Sequence, residues 1–403
     1  MAAYGRYVKT DIARFYPSVY THSIPWALLG KAWVKSNLAS PALKSSFASD
    51  LDKAVAAGQS GQTVGIPIGP DTSRVISEII ATEVEKLVLK RLPDLGRRAV
   101  RYVDDMIIGF TETESAETVL SPISSALYEY ELELSGNNTN VHGVGYPHPQ
   151  EWLQYVRTFR ITSRKDRQIE EIDSFFTQSN FLQGRNEDEN VLLFAIRRAS
   201  SFDIHDDNWF HFVRWLLYCC RRSSACLSFV VEHLSDLYLS GRRLPFAEIV
   251  DFILERLPSH AAAAHTAEVA WLLFWARELG IALPRESLRE VVELRSSVCA
   301  LITLDLRQRG QITGRPNLAF WNSFLNSGGL QSEMWLFAYE VAIKGWARPS
   351  GGENYIKNHQ FFGDLATRKV EFYEPARRAR PRVGPSFFRM LAQVRGTGAS
   401  DYN

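Results

Sequence analysis

Hydrophobic and polar positions divide the chain near residue 185 into two patterns. In the first part, β-prone runs alternate with helical spacings. "GRYVKTDI" (5–12) has the pattern of a strand ending at an acid, and "IPWALLGKAWVKS" (24–36) has helical spacing with Ser23 as its N-cap. "SRVISEIIATEVEKLVLKRL" (73–92) repeats apolar residues at three and four and is charged on its other face, which predicts an amphipathic helix. "AVRYVDDMIIGF" (99–110) is β-rich on both sides of two adjacent acids and predicts a hairpin with those acids at the bend. A helix over about 115–132 and a further strand follow. The order strand, helix, helix, hairpin, helix, strand predicts an α+β sandwich with helices on one face of the sheet.

Beyond residue 188 the pattern changes in kind. "ENVLLFAIRRAS", "WFHFVRWLLYCCRRS", "LSFVVEHLSDLYLS", "FAEIVDFILERL", "AEVAWLLFWARELG", "ESLREVVELRSSVCALITLDLRQRG" and "EMWLFAYEVAIKGW" are amphipathic segments of one-helix length joined by short turns. No strict period runs through them, so an irregular solenoid of helix pairs is expected. The resulting division is a first domain over 1–150, a connector over 151–187, an all-α helical-repeat domain over 188–373 and a basic tail over 374–403. In that tail "PARRARPRVGP" carries Arg377, Arg378, Arg380 and Arg382, readable as a solvated end or as a phosphate-binding arm.

Composition narrows the class. Of 403 residues 45% are apolar and 23% charged, enough to bury sizeable cores. A formal net charge of +1 means that a nucleic-acid partner would be held by local patches rather than by the overall field. The arginine pairs Arg197/Arg198, Arg221/Arg222 and Arg242/Arg243 read first as helix C-terminal complements and second as a phosphate track. The tryptophans Trp209, Trp215, Trp271, Trp275, Trp321 and Trp335 read as helical core. Cys219, Cys220, Cys226 and Cys299 lack paired metal-ligand spacing and are expected as buried thiols of a cytoplasmic protein. No apolar run approaches the roughly 20 residues of a membrane helix. His22, His260 and His265 have no legible nucleophile or acid set around them.

The adjacent acids carry the chemistry. Asp11 ends one predicted strand, while Asp104 and Asp105 sit at the predicted bend, so neighbouring strands would bring three carboxylates together. Such a cluster repels itself and calls for cations. Oxygen ligands without histidine or cysteine suit Mg2+ or Mn2+, and two such ions about 3.5–4 Å apart serve nucleotidyl transfer. The bland alternative is a polar hairpin turn.

"TDIARFYPSVY", "GIPIGPDTS" and "RYVDD" resemble, in order, motifs A, B and C of reverse transcriptases. The wider wording, "DIARFYPSVYTHSIPWALLGK" with later "WLLFWARELGI", "WLFAYEVAIKGW" and "VEFYEP", is similar to bacterial abortive-infection and defence-associated reverse transcriptases. The resemblance covers the first domain and, more loosely, the helical half. It implies an α+β polymerase palm, with an antiparallel sheet of RNA-recognition-motif type and helices on one face, followed by helical repeats. It also implies an RNA-directed DNA polymerase of antiviral defence, consuming deoxynucleoside triphosphates with Mg2+ or Mn2+ and yielding DNA, from an RNA template or, as in some relatives, without a template and on a protein primer. Asp11, Asp104 and Asp105 become the catalytic, metal-binding acids. Tyr16 falls where a bulky ring excludes a ribose 2′-hydroxyl, and Tyr102 is the tyrosine expected near the primer end, with a sheet-filling aromatic as its alternative. Gly65, Pro67, Gly69 and Ser73 match the nucleotide-binding turn of motif B, although a plain loop-to-helix junction capped by Asp71 or Thr72 would use similar residues.

Three departures qualify the match. Ile68 stands where templated enzymes often carry glutamine, and Asn138 where a lysine is usual, so neither template selection nor proton donation by those positions carries over. The fingers region that precedes motif A is missing from the reading, since Lys9 and Arg14 are too few to hold a triphosphate. Either the chain is part of a longer protein, or a second copy or partner supplies the fingers. The reading from another class is a palm without activity that persists, with the helical half, as an interaction scaffold. The polymerase reading requires the three acids to converge.

Overall fold

The computed structural model describes residues 4–143, 151–162, 164–187, 189–347, 354–357 and 359–378. It divides into two compact units, residues 1–149 and 150–403. The chain is a mixed α+β protein with one small antiparallel sheet.

In the first unit, β1 (Arg6–Thr10) pairs antiparallel with β3 (Asp105–Phe110), β3 with β2 (Ala99–Tyr102), and β1 with β4 (Asn140–His142), giving the order β2-β3-β1-β4. Val8 lies opposite Ile108 and both are buried, because alternate residues of the two central strands turn to the face that the helices cover. Helices α1 (Ser23–Leu29), α2 (Lys31–Ser36), α3 (Phe47–Ala57), α4 (Asp71–Arg91) and α5 (Ala116–Tyr128) pack into the same core as Val8 and Ile108. In α4 the stripe Ile76, Ile80, Val84 and Val88 is buried at a spacing of four, the repeat that its sequence announces. Each such side chain contributes about 1.5–3 kcal/mol by leaving water. Ser115 caps α5 by accepting the Thr118 amide at 3.2 Å.

Two local expectations are corrected. The helix expected over 24–36 is two helices, because Gly30 adopts φ 88° and breaks the ladder; Ser23 is its first helical residue, with His22 at the N-cap. The cap of α4 is Pro70, with no side-chain hydrogen bond, and Asp71 begins the helix, where its charge complements the helix dipole.

The second unit is helical. Residues 151–187, expected as a connector, form helices Glu151–Thr158 and Lys165–Arg185, and Trp152, Val156, Ile172, Phe175 and Phe176 join the unit's main core. Helices follow at Val191–Ala199, Asp206–Arg222, Leu227–Leu239, Phe246–Ala262 and Thr266–Leu279. The segment 286–310, expected as one helix, is instead two 3-10 turns, Arg285–Leu288 and Val291–Glu293, and then helix Ser297–Gln308. Ser296 restarts the helix by accepting the Cys299 amide. Helix Trp335–Lys344 comes last among the longer ones. Trp209, Trp275 and Trp321 are buried and Trp215, Trp271 and Trp335 pack partly into cores, as their spacing predicts. All four cysteines are free and buried. Among the described residues no helix is long and apolar enough to cross a membrane.

Of the basic tail, Arg377 and Arg378 are described, and Arg380 and Arg382 lie outside the described residues. The backbone carbonyl of Arg377 accepts a hydrogen bond from Arg277 at 2.9 Å, so the start of this segment is tied to the helical unit. At least one member of each arginine pair is likewise occupied: Arg221 pairs with Glu255 at 2.6 Å, and Arg242 lies 4.0 Å from the Trp209 ring centre. Arg198 stacks on Phe202.

Candidate active site

The end of the ladder in the first unit sets the site. β1 and β3 finish with Thr10 opposite Met106, one residue short of Asp11 on one strand and one past Asp105 on the other. The Ile12 amide continues the ladder by donating to the Asp104 carbonyl at 3.3 Å. The hairpin between β2 and β3 turns on Val103 and Asp104, with Tyr102 paired to Asp105. The two chain segments that carry the acids therefore end side by side on the two central strands.

Residues 133–139 hold the Asp11 segment in place. The Ala13 amide donates to the Glu133 carbonyl at 2.8 Å, and the Ser135 amide donates to the Asp11 carbonyl at 2.9 Å. Thr10 and Thr139 share a hydroxyl hydrogen bond of 2.7 Å. Asn138 donates its side-chain amide to Asp11 Oδ2 at 2.9 Å. Asp11 Oδ1 is buried and has no hydrogen-bond partner. A buried carboxylate oxygen left unpaired is costly, which makes it the atom of this site most in need of a ligand.

Electrostatics point the same way. Burial pushes the Asp104 carboxyl above the ordinary carboxylate range, its own backbone amide partly offsets this, and the charges of Asp105 and Asp11 push it higher. None of the three acids enters an ion pair among the described residues. Among the described residues the three neighbouring acids thus share one sheet end without an ion-pair partner.

These features fit a hard cation in charge and donor chemistry, with Asp11 and Asp104 as the residues to hold it and Asp105 beside them. The side chains do not form a finished cage: among the described residues no group of three or more histidine, cysteine, aspartate or glutamate side chains is arranged to hold a metal ion. The structure brings the backbone segments that carry the acids side by side, but the side-chain convergence that the polymerase reading requires is not found among the described residues.

The turn at residues 64–66 packs against the segment that follows Asp11. Val64 bridges Tyr20, the Gly65 amide donates to the Val19 carbonyl at 2.8 Å, and the Ile66 amide donates to the Tyr16 carbonyl at 2.9 Å. Gly65 has φ 89°, and a Cβ there would stand 3.2 Å from the Pro17 carbonyl oxygen, so both backbone conformation and space require glycine. Gly69 has φ 119° with open space around it; Pro67 is exposed and Ser73 is buried in the first turn of α4. Ile68 is 76% exposed.

Tyr16 packs partly into the core, and its hydroxyl accepts a hydrogen bond from Ser77 at 3.3 Å, which ties it to α4. Tyr102 is 72% exposed, which removes the sheet-filling alternative and leaves its ring free beside the acids. Sequence reasoning missed the contribution of Asn138, noticed only as a departure, and of Arg101, whose guanidinium grips two α4 glutamates. The signal for Arg101 was present: Glu78 and Glu85, seven residues apart, lie on one face of a helix.

No protein-family model matches the chain, and no curated protein matches it.

Proposed function

We propose that the chain is a reverse-transcriptase-like DNA polymerase of bacterial antiviral defence, with a palm in the first unit and helical repeats in the second. The observation that supports this reading is the delivery of Asp11, Asp104 and Asp105 to one end of the central strands, with Asp11 Oδ1 buried and unpartnered and none of the three in an ion pair among the described residues. Mg2+ or Mn2+ bound there would supply charge neutralisation for phosphoryl transfer. Asp11 and Asp104 would hold the ion, and Asn138, donating to Asp11 Oδ2, would leave Oδ1 as the oxygen to meet it. Tyr16, fixed by Ser77, would stand under the sugar and select deoxynucleoside triphosphates by collision. The Gly65 turn would let backbone approach the nucleotide, and exposed Tyr102 would meet the primer end. DNA is the product. An RNA template, a protein primer, and a second copy or partner supplying the fingers belong to this proposal as well.

A second reading, a non-catalytic palm acting with the helical unit as an interaction scaffold, is favoured by the lack of a closed set of three metal ligands among the described residues. Incorporation of labelled deoxynucleotides with Mg2+ or Mn2+, with and without RNA, separates the two. The expected result is metal-dependent product that falls by about a thousandfold in Asp104→Ala/Asp105→Ala, the several kcal/mol that a catalytic metal site supplies. Equal incorporation by wild type and double variant would sink the polymerase.

A further inference from the structure

The turn that presents Asp104 and Asp105 is strained where the sequence is least suited to it. Val103, the first of the two loop residues, has φ 58°. In two-residue hairpins a positive φ at that position belongs to glycine, and a β-branched residue there is an outlier. Such strain persists only when the surroundings over-determine it.

Arg101 supplies that surrounding. Its side chain is 14% exposed and donates in three directions. Nη1 reaches the Val103 carbonyl at 2.7 Å, within the strained turn itself. Nη1 and Nη2 form a fork on the Glu78 carboxylate at 3.1 and 2.9 Å, and Nε donates to Glu85 at 2.6 Å. The Glu78 hydrogen bond is the largest cause holding the guanidinium's pKa above its ordinary value. A planar, permanently charged fork is the one side chain able to meet both glutamates and a backbone carbonyl at once. The chain of contacts therefore runs from α4, one residue past the Ser77 that fixes Tyr16, through Arg101, to the turn carrying the acids.

We infer that Arg101 is a positioning residue: clamped by Glu78 and Glu85, it holds Val103 in its left-handed conformation and thereby sets the acids of the turn for a divalent cation. The inference rests on the metal reading proposed above, and the experiment separates the two. In the full chain, hydrogen exchange of the 99–110 segment and Mn2+ binding by calorimetry are measured for wild type, Arg101→Met, Val103→Gly and the double variant. Arg101→Met is expected to speed exchange across the turn and weaken Mn2+ binding, each by about tenfold, the scale of one left-handed penalty. Glycine needs no clamp at positive φ, so Val103→Gly in the Arg101→Met background is expected to restore Mn2+ affinity to within about twofold of wild type.

A merely stabilising ion pair would not be rescued in this way, so loss of Mn2+ binding without rescue overturns the inference. Unchanged exchange in Arg101→Met, or faster exchange with unchanged affinity, overturns it too. Absence of Mn2+ binding in the wild-type chain overturns the metal reading instead, and the exchange result then decides the clamp alone. Should Arg101→Met unfold the chain, Arg101→Lys gives the same measurements, since one ammonium cannot reach all three acceptors.

Discussion

Deep in the helical unit, charge is matched. Arg277 Nε lies 2.8 Å from Asp305 Oδ2, an ionic contact rather than an aligned hydrogen bond, and Arg309 donates to the other Asp305 oxygen at 2.9 Å. Tyr373 donates its hydroxyl to Asp305 at 2.9 Å, and fully buried Glu340 faces Lys344 at 3.2 Å. At the sheet end of the α+β unit the arrangement is the reverse, with Asp11 beside Asp104 and Asp105 and, among the described residues, only the neutral amide of Asn138 as a side-chain hydrogen-bond partner for Asp11. Buried charge that serves a scaffold is given its counter-charge by the fold, whereas crowded, perturbed acids are a feature that clusters at functional sites.

The largest effect expected from this comparison is on the matched side. Arg277→Met leaves Asp305 buried with one cation fewer and also releases the Pro375 and Arg377 carbonyls that Arg277 holds. Breaking such a pair costs about 3–5 kcal/mol, so the helical unit should melt well below its wild-type temperature in calorimetry. Adding Asp305→Leu should recover only part of that loss, because it removes one stranded charge but leaves buried Glu278 without Arg277 and takes the acceptor from Arg309 and Tyr373. If Arg277→Met melts with wild type, the match is ornamental and the contrast between the units collapses.

A middle-sized effect belongs to the turn beside the acids. Gly65→Ala forces a side chain into φ 89° and against the Pro17 carbonyl. The expected loss is about 1–2 kcal/mol, read from denaturant unfolding of the first unit. The substitution tests whether the 64–66 bridge is built as tightly as the acids it flanks; a neutral result would mean that the turn is free to move.

How much of this was legible beforehand follows from range. The hairpin, with Asp104 at its bend although Asp105 proved to begin the returning strand, the strand before Asp11 and the long amphipathic helix were readable, because periodicity and β-propensity act over a few neighbouring residues. The break at Gly30 and the 3-10 turns within 285–293 were not, since a continuous apolar pattern hides a local change of backbone path. The connector proved helical because Trp152, Phe175 and Phe176 find partners only in the folded core. At the site the acids were visible as residue types, whereas Asn138 on Asp11, Ser77 on Tyr16 and Arg101 on Val103 join segments by side-chain geometry that no local pattern encodes.

The smallest effect is the most direct test of crowding. Because burial and two neighbouring acids raise the Asp104 pKa above 3.8, the folded chain binds that proton more readily than the unfolded chain. Stability from this group is therefore greatest at low pH and is lost as pH rises through the window between the ordinary and the raised value. Asp104→Asn removes the charge and should melt slightly above wild type at about pH 7, with the difference vanishing near pH 3, where both forms are neutral. Mg2+ should narrow the gap at neutral pH by stabilising wild type through binding to the folded state alone. Thermal unfolding across that pH range, with and without Mg2+, makes the check. A difference that stays flat with pH would mean that Asp104 is not crowded by its neighbours, and a variant less stable than wild type at neutral pH would mean that its charge is matched by a partner after all.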